Sequence, residues 1–140
     1  MATSLLAKLR TAAAADPTLG PLLGTTPFRW YDQQLVQGTA FPAVTASVVS
    51  NVPVYSVNQL LIVARYRVTM KIFDEDPEVS RQVASAIRNF LVTFNAYNAG
   101  DDDPIQRNQV VGQRDGGIAQ TQPLTSMQIM DAMIWNNEST

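Results

Sequence analysis

"YRVTMKIFDEDPEVSRQVASAIRNFLVTF", Tyr66–Phe94, changes hydrophobic period in its middle. Up to Phe73 the residues alternate. Tyr66, Val68, Met70 and Ile72 share one side, and Arg65, Arg67, Thr69 and Lys71 share the other, as the two-residue repeat of a strand requires. This predicts a long strand from Leu60 to Phe73 with one face on a core and one basic, solvated face. After Pro77 the repeat becomes helical. Val79, Val83, Ala86, Ile87, Phe90, Leu91 and Phe94 form an apolar stripe on a helix predicted over about 77–97. Val92 lies nearly opposite that stripe, beside Arg81, Ser85 and Asn89, where a valine is either an ordinary exposed residue or a subunit contact.

Between the two patterns sits Asp74-Glu75-Asp76-Pro77-Glu78. Clustered carboxylates suit a divalent cation, because hard cations take several oxygen ligands. The spacing does not match a calcium loop, which spreads its ligands over about twelve residues around a glycine. Helix initiation uses the residues directly: Asp76 as N-cap, Pro77 at the first helical position, and Glu78 where the helix dipole favours negative charge. The run is therefore read as a stop followed by a cap.

Outward from this unit, Thr3 and Ser4 can cap an amino-terminal helix over 4–15, with Leu5, Leu6, Leu9, Ala12 and Ala13 on its apolar side. "DPTLGPLLGTTP" is proline- and glycine-rich and reads as a connector that lays leucines on the core. "FRWYDQQ" reads as a short strand, and "FPAVTASVVSNV" supports another from about Ala43 to Ser50. Residues 51–59 and 98–123 read as long loops. Within the second, "IQRNQVVGQ" has strand character and Asp115-Gly116-Gly117 signals a turn. "LTSMQIMDAMIW" is ambiguous between helix and strand over 124–135, and a strand there would be apolar on both faces. The expected fold is α+β, one domain over 1–140: a mainly antiparallel twisted sheet covered by the amino-terminal helix and the long central helix.

Composition narrows the chemistry. The chain has 140 residues, no cysteine and no histidine, and a formal net charge of -2. Thiolate and imidazole sites are excluded, and with them serine triads and zinc hydrolases. The charge provides no general field for nucleic acid. No segment reaches the ~20 apolar residues of a membrane span, and Lys8 and Arg10 interrupt any leader-like run. Asp101, Asp102 and Asp103 repel one another and fit a solvated loop. Arg65, Arg67 and Lys71 make the one local basic stripe. No catalytic, metal or cofactor constellation emerges from these residues.

In order and pattern the chain resembles the tail terminator family of tailed bacteriophages, also called tail completion or minor tail component proteins. The matching stretches are "SLLAKLRTAAAADPTLGPLLG", "QQLVQGTAFPAVTASVV", "RYRVTMKIFDEDPEVSRQVASAIRNFL" and "MQIMDAMIWNN", together reaching from about Ser4 to Asn136. The segment 98–123 is longer and more polar than the family pattern. The resemblance implies a non-enzymatic virion protein: a homohexameric ring in the neck that caps the tail tube, stops elongation and joins the head. Its partners would be the tail tube protein and a head-side connector or stopper, with DNA crossing the lumen without sequence-specific binding. Assembly would occur in the host cytoplasm. On that reading Arg65, Arg67, Lys71 and Val92 face the lumen or a neighbouring subunit, and Asp101–Asp103 form an acidic loop for a neighbour. The alternatives are a head-completion or stopper protein of the same neck, a small divalent-metal-dependent enzyme using the acidic runs, and an oligomeric cellular adaptor of the same fold.

Overall fold

The computed structural model describes residues 5–24, 28–32, 40–55, 61–94, 105–119 and 125–139. Its elements, in chain order, are α1 (Leu5–Ala15), α2 (Leu19–Leu23), β1 (Trp30–Asp32), β2 (Ala43–Tyr55), β3 (Leu61–Asp74), α3 (Pro77–Phe94), β4 (Ile105–Ala119) and β5 (Thr125–Ser139). The five strands form one sheet in the order β1-β2-β3-β5-β4. β1 runs parallel to β2, and every other pairing is antiparallel. This is the expected α+β architecture.

The helices cover one face of the sheet. Val44 and Ala46 of β2, Val68, Met70 and Ile72 of β3, and Met130, Ala132 and Ile134 of β5 meet Val83, Ala84, Ile87, Phe90 and Leu91 of α3 in a single buried cluster. Leu5, Leu9, Ala12 and Ala13 of α1 and Leu19 and Leu23 of α2 complete it. Burying each of the larger side chains contributes about 1.5–3 kcal/mol. Two arginines tie the helices to the start of the sheet. Arg10 donates to the carbonyls of Trp30 and Phe28, and Arg29 donates to those of Pro42 and Leu22. The Arg10 guanidinium also lies 5.6 Å from the centre of the Phe28 ring, which stacks on Trp30.

The acidic run is used locally. The Asp74 carboxylate accepts from the Asp76 N–H at 2.8 Å, closing the turn after β3, and the Asp76 carboxylate accepts from the Glu78 N–H at 2.9 Å. Pro77 opens α3, where its missing N–H costs nothing. Asp76→Ala should therefore lower stability by about 1 kcal/mol. A denaturation midpoint indistinguishable from that of the wild type would contradict this capping role.

Three expectations are corrected, and one open alternative, helix or strand over 124–135, is resolved. The connector after α1 contains a short helix, α2, because the Asp16 carboxylate accepts from the Thr18 and Leu19 N–H groups and starts a turn despite the prolines. β2 does not end at Ser50: Asn51 through Tyr55 stay paired with Tyr66 through Ile62, so 51–55 is strand rather than loop. The supposed loop 98–123 contains the fifteen-residue β4. Asp115-Gly116-Gly117 is a bulge within it, since Asp115 pairs with Gln128 and Gly117 with Met127. The stretch 124–135 is strand from Thr125 onward, set between β3 and β4. Thr3, Ser4, the predicted last turn of α3 over 95–97, and the acidic run Asp101, Asp102 and Asp103 lie outside the described residues, as does the side chain of Val92.

Candidate interaction surface

The opposite face of the sheet, away from the helices, is where the sequence placed its basic stripe. Residues directly opposite on antiparallel strands share a face. Arg65, Arg67, Thr69 and Lys71 of β3 therefore stand beside Trp135, Met133, Asp131 and Ile129 of β5. Gln109, Gly112 and Arg114 of β4 continue the same rows through Met133, Asp131 and Ile129. Arg65, Arg67, Lys71 and Arg114 are exposed, while Ile129, Met133 and Trp135 are half-buried. The surface is apolar at its base and cationic at its tips. Long arginine and lysine stems can lie along such apolar ground with their charged heads in water.

Asp131 is the exception on this face. The residue is 6% exposed, and an ionised carboxylate so placed is costly unless it is paired. Its Oδ1 accepts from the Thr69 hydroxyl at 2.6 Å, and its Oδ2 accepts from Arg114 at 3.1 Å and lies 3.6 Å from Arg67. Burial alone would push the carboxyl up. The Thr69 hydroxyl, then Arg114 and Arg67, outweigh burial and hold it below its ordinary value. Asp131 thus anchors two arginines from different strands, setting where their exposed guanidinium groups stand.

The bulge in β4 lets the apolar part of this face close over it. A Cβ on Gly116 would come within 2.9 Å or less of Met127 Cε and Ile129 Cδ1, so those side chains occupy the space that any larger residue would need. Gly117 follows with a φ of +80°, a conformation that favours glycine.

On the helix side, a second polar group joins α3 to β4. Arg81 bridges Glu78 at 2.7 Å and Asp115 at 3.5 Å, Gln128 donates to Asp115, and Arg88 donates to Gln113. Asp115 is held below the ordinary carboxylate range, first by the Gln128 amide and then by the field of Arg81. These contacts are solvated and orient the helix on the edge of the sheet. They do not form an acid/base pair.

The sequence reading located Arg65, Arg67 and Lys71 on one exposed face. It missed Asp131 and Arg114, which convert that stripe into a structured cluster. The available signal was the lone acid inside "MQIMDAMIW": a carboxylate in a strand apolar on both sides requires a partner. Among the described residues, no group of three or more acidic or other metal-binding side chains could hold an ion, and no helix is long and apolar enough to cross a membrane.

The sequence matches no family model and no curated relative. Among solved structures the fold is similar to that of a chain from the virion of a native gene transfer agent particle, at a TM-score of 0.66 and 12% sequence identity, over 95% of each chain.

Proposed function

We propose that this protein is a structural subunit of a phage-like virion, and more narrowly a tail terminator. Copies would form a ring, six as the family resemblance implies, that caps the tail tube, ends its elongation and provides the surface on which the head-side connector or stopper docks. The observation that carries the reading is the shared fold with a chain of a gene transfer agent virion over nearly the whole of both chains. The order of elements quoted above supports the narrower assignment.

The surface chemistry is compatible with that role. A channel for DNA works best when contacts are weak and independent of sequence, and phosphate contacts carry no base information. Arg65, Arg67, Lys71 and Arg114 offer a few cations, two of them already engaged by Asp131, so phosphate neutralisation would be limited. We place this face on the lumen. The alternative position, against the acidic loop Asp101–Asp103 of a neighbour, predicts instead that charge reversal at Arg65 and Lys71 breaks the ring.

Virions assembled without the protein test the assignment. A tail terminator leaves overlong tails and heads without tails. Tails of normal length beside leaking heads would contradict it and favour a head-side stopper.

A further inference from the structure

The polar group between α3 and β4 borders an open pocket of about 440 Å³, lined by Arg81, Arg88, Gln113, Arg114, Asp115 and Gln128. The helical repeat sets Arg81, Ser85 and Arg88 on one exposed side of α3, with the two arginines about 10 Å apart along the axis. Gln128 is the buried member of the lining, 4% exposed. Its amide N–H donates to Asp115, and its carbonyl accepts from the Gln113 amide at 3.5 Å. Gln113 in turn accepts from Arg88. A run of hydrogen bonds from Arg88 through the two amides to Asp115 therefore holds the lining in place from a buried base.

The two ends of the pocket differ in charge. Arg81 is bridged by Glu78 and Asp115, and Arg114 is held by Asp131. Arg88 meets the neutral amide of Gln113 and has no carboxylate partner among the described residues. Most of its N–H donors are therefore open to an incoming carboxylate, which a guanidinium can hold through two parallel bonds. Asp115, the one carboxylate in the lining, is engaged by Gln128 and Arg81 at the other end. The volume is that of a ligand site rather than of a single ion. The amides of Gln113 and Gln128 carry donors and acceptors, the groups that pair with peptide units. A nucleic acid fits less well. No aromatic ring is among the lining residues to stack on a base, and a continuous phosphate backbone passing Arg88 would run onto Asp115 and Glu78.

We propose that the pocket between α3 and β4 binds a short acidic peptide segment of a partner protein, with one carboxylate docked on Arg88 and the adjoining backbone lying over Gln113 and Gln128 toward Arg81. The charge-assisted bonds to Arg88 supply the anchor, and the amides set the register of the segment. The uncompensated end selects a negative side chain, whereas the end where Arg81 is already neutralised accepts an uncharged one. Because Arg88 is exposed, the attraction is screened by salt. The pocket lies on the helix side of the sheet, opposite the face that carries Arg65, Arg67 and Lys71, and it depends neither on a ring nor on a lumen.

Fluorescence anisotropy of the full chain at low ionic strength tests this with a labelled peptide of aspartates flanked by glycine and serine, beside the same peptide with asparagines. The expected result is saturable binding of the aspartate peptide alone, weakened at least about tenfold by Arg88→Gln, as removal of a charged hydrogen-bonding group implies. Arg88 is exposed, so circular dichroism of the variant should match the wild type. Equal binding of the two peptides, or no effect of Arg88→Gln, would overturn the proposal. An equal loss with Arg65→Gln, on the opposite face, would show that any exposed cation suffices and would overturn it too. So would displacement of the peptide by an equal concentration of inorganic phosphate, which marks a bare anion site, or by a short duplex DNA. Binding seen only after Asp101, Asp102 and Asp103 are changed to asparagine would mean that the chain's own acidic run fills the pocket, and would also overturn it. Peptide binding and tube capping are separate readouts, so loss of one leaves the other standing.

Discussion

Ile87→Ala should lower the unfolding free energy by about 2–5 kcal/mol, the largest effect expected of a single substitution here. Ile87 is fully buried where α3 crosses the sheet, in one cluster with Val68, Met70, Met130 and Leu91. Truncation removes transfer free energy and leaves a cavity that an eighteen-residue helix lying across three strands can close only in part. The effect should appear as a lower urea midpoint with the same dependence on denaturant. A loss below 1 kcal/mol would mean that α3 does not seal the core as described.

Asp131→Asn should cost about 2 kcal/mol near neutral pH, within the range for hydrogen bonds to a charged group. The amide keeps the shape but removes the charge that holds Arg67 and Arg114, and it turns one acceptor into a donor facing a guanidinium. The pH dependence has a definite sign. Folding depresses the Asp131 carboxyl below its ordinary value of 3.8, so the folded state favours the ionised form. Its contribution is complete above that value and is lost as the pH falls through the depressed one. The difference between Asn variant and wild type should therefore be full at pH 7 and shrink on acidification below 3.8. Urea titrations of both proteins across that range would read it. A gap independent of pH would mean that the carboxylate charge contributes nothing to the fold.

β3 and α3 were legible because each keeps its own period for several turns or pairs and a cap separates them. The amino-terminal stripe of Leu5, Leu9, Ala12 and Ala13 was legible for the same reason. β4 was not, because a bulge and a loop use the same residues. Asp115-Gly116-Gly117 signals a turn locally, and only the packing of Met127 and Ile129 across Gly116 reveals a strand passing beneath them. β5 was ambiguous because a strand inside a sheet can be apolar on both faces, which erases the alternation that marks an edge strand. Its methionines and alanine also suit a helix, and the neighbours on both sides decide the matter. The far half of β2 was cut short because Asn51 and Pro53 resemble a turn, whereas pairing with β3 continues through them.

The same distinction explains the interaction surface. Exposed cations on a strand can be found from a two-residue repeat, but the Asp131 cluster joins residues 62 apart through Thr69 and 17 apart through Arg114. Register, which no local pattern supplies, brings them together.

Tail tube protein polymerising in the presence and absence of this protein reads the proposed capping activity itself. The length distribution of the tubes should shorten and narrow as the protein is added, with a ring visible at one end of each arrested tube. Tubes of unchanged length bearing no terminal ring, at concentrations where the protein is folded, would contradict it.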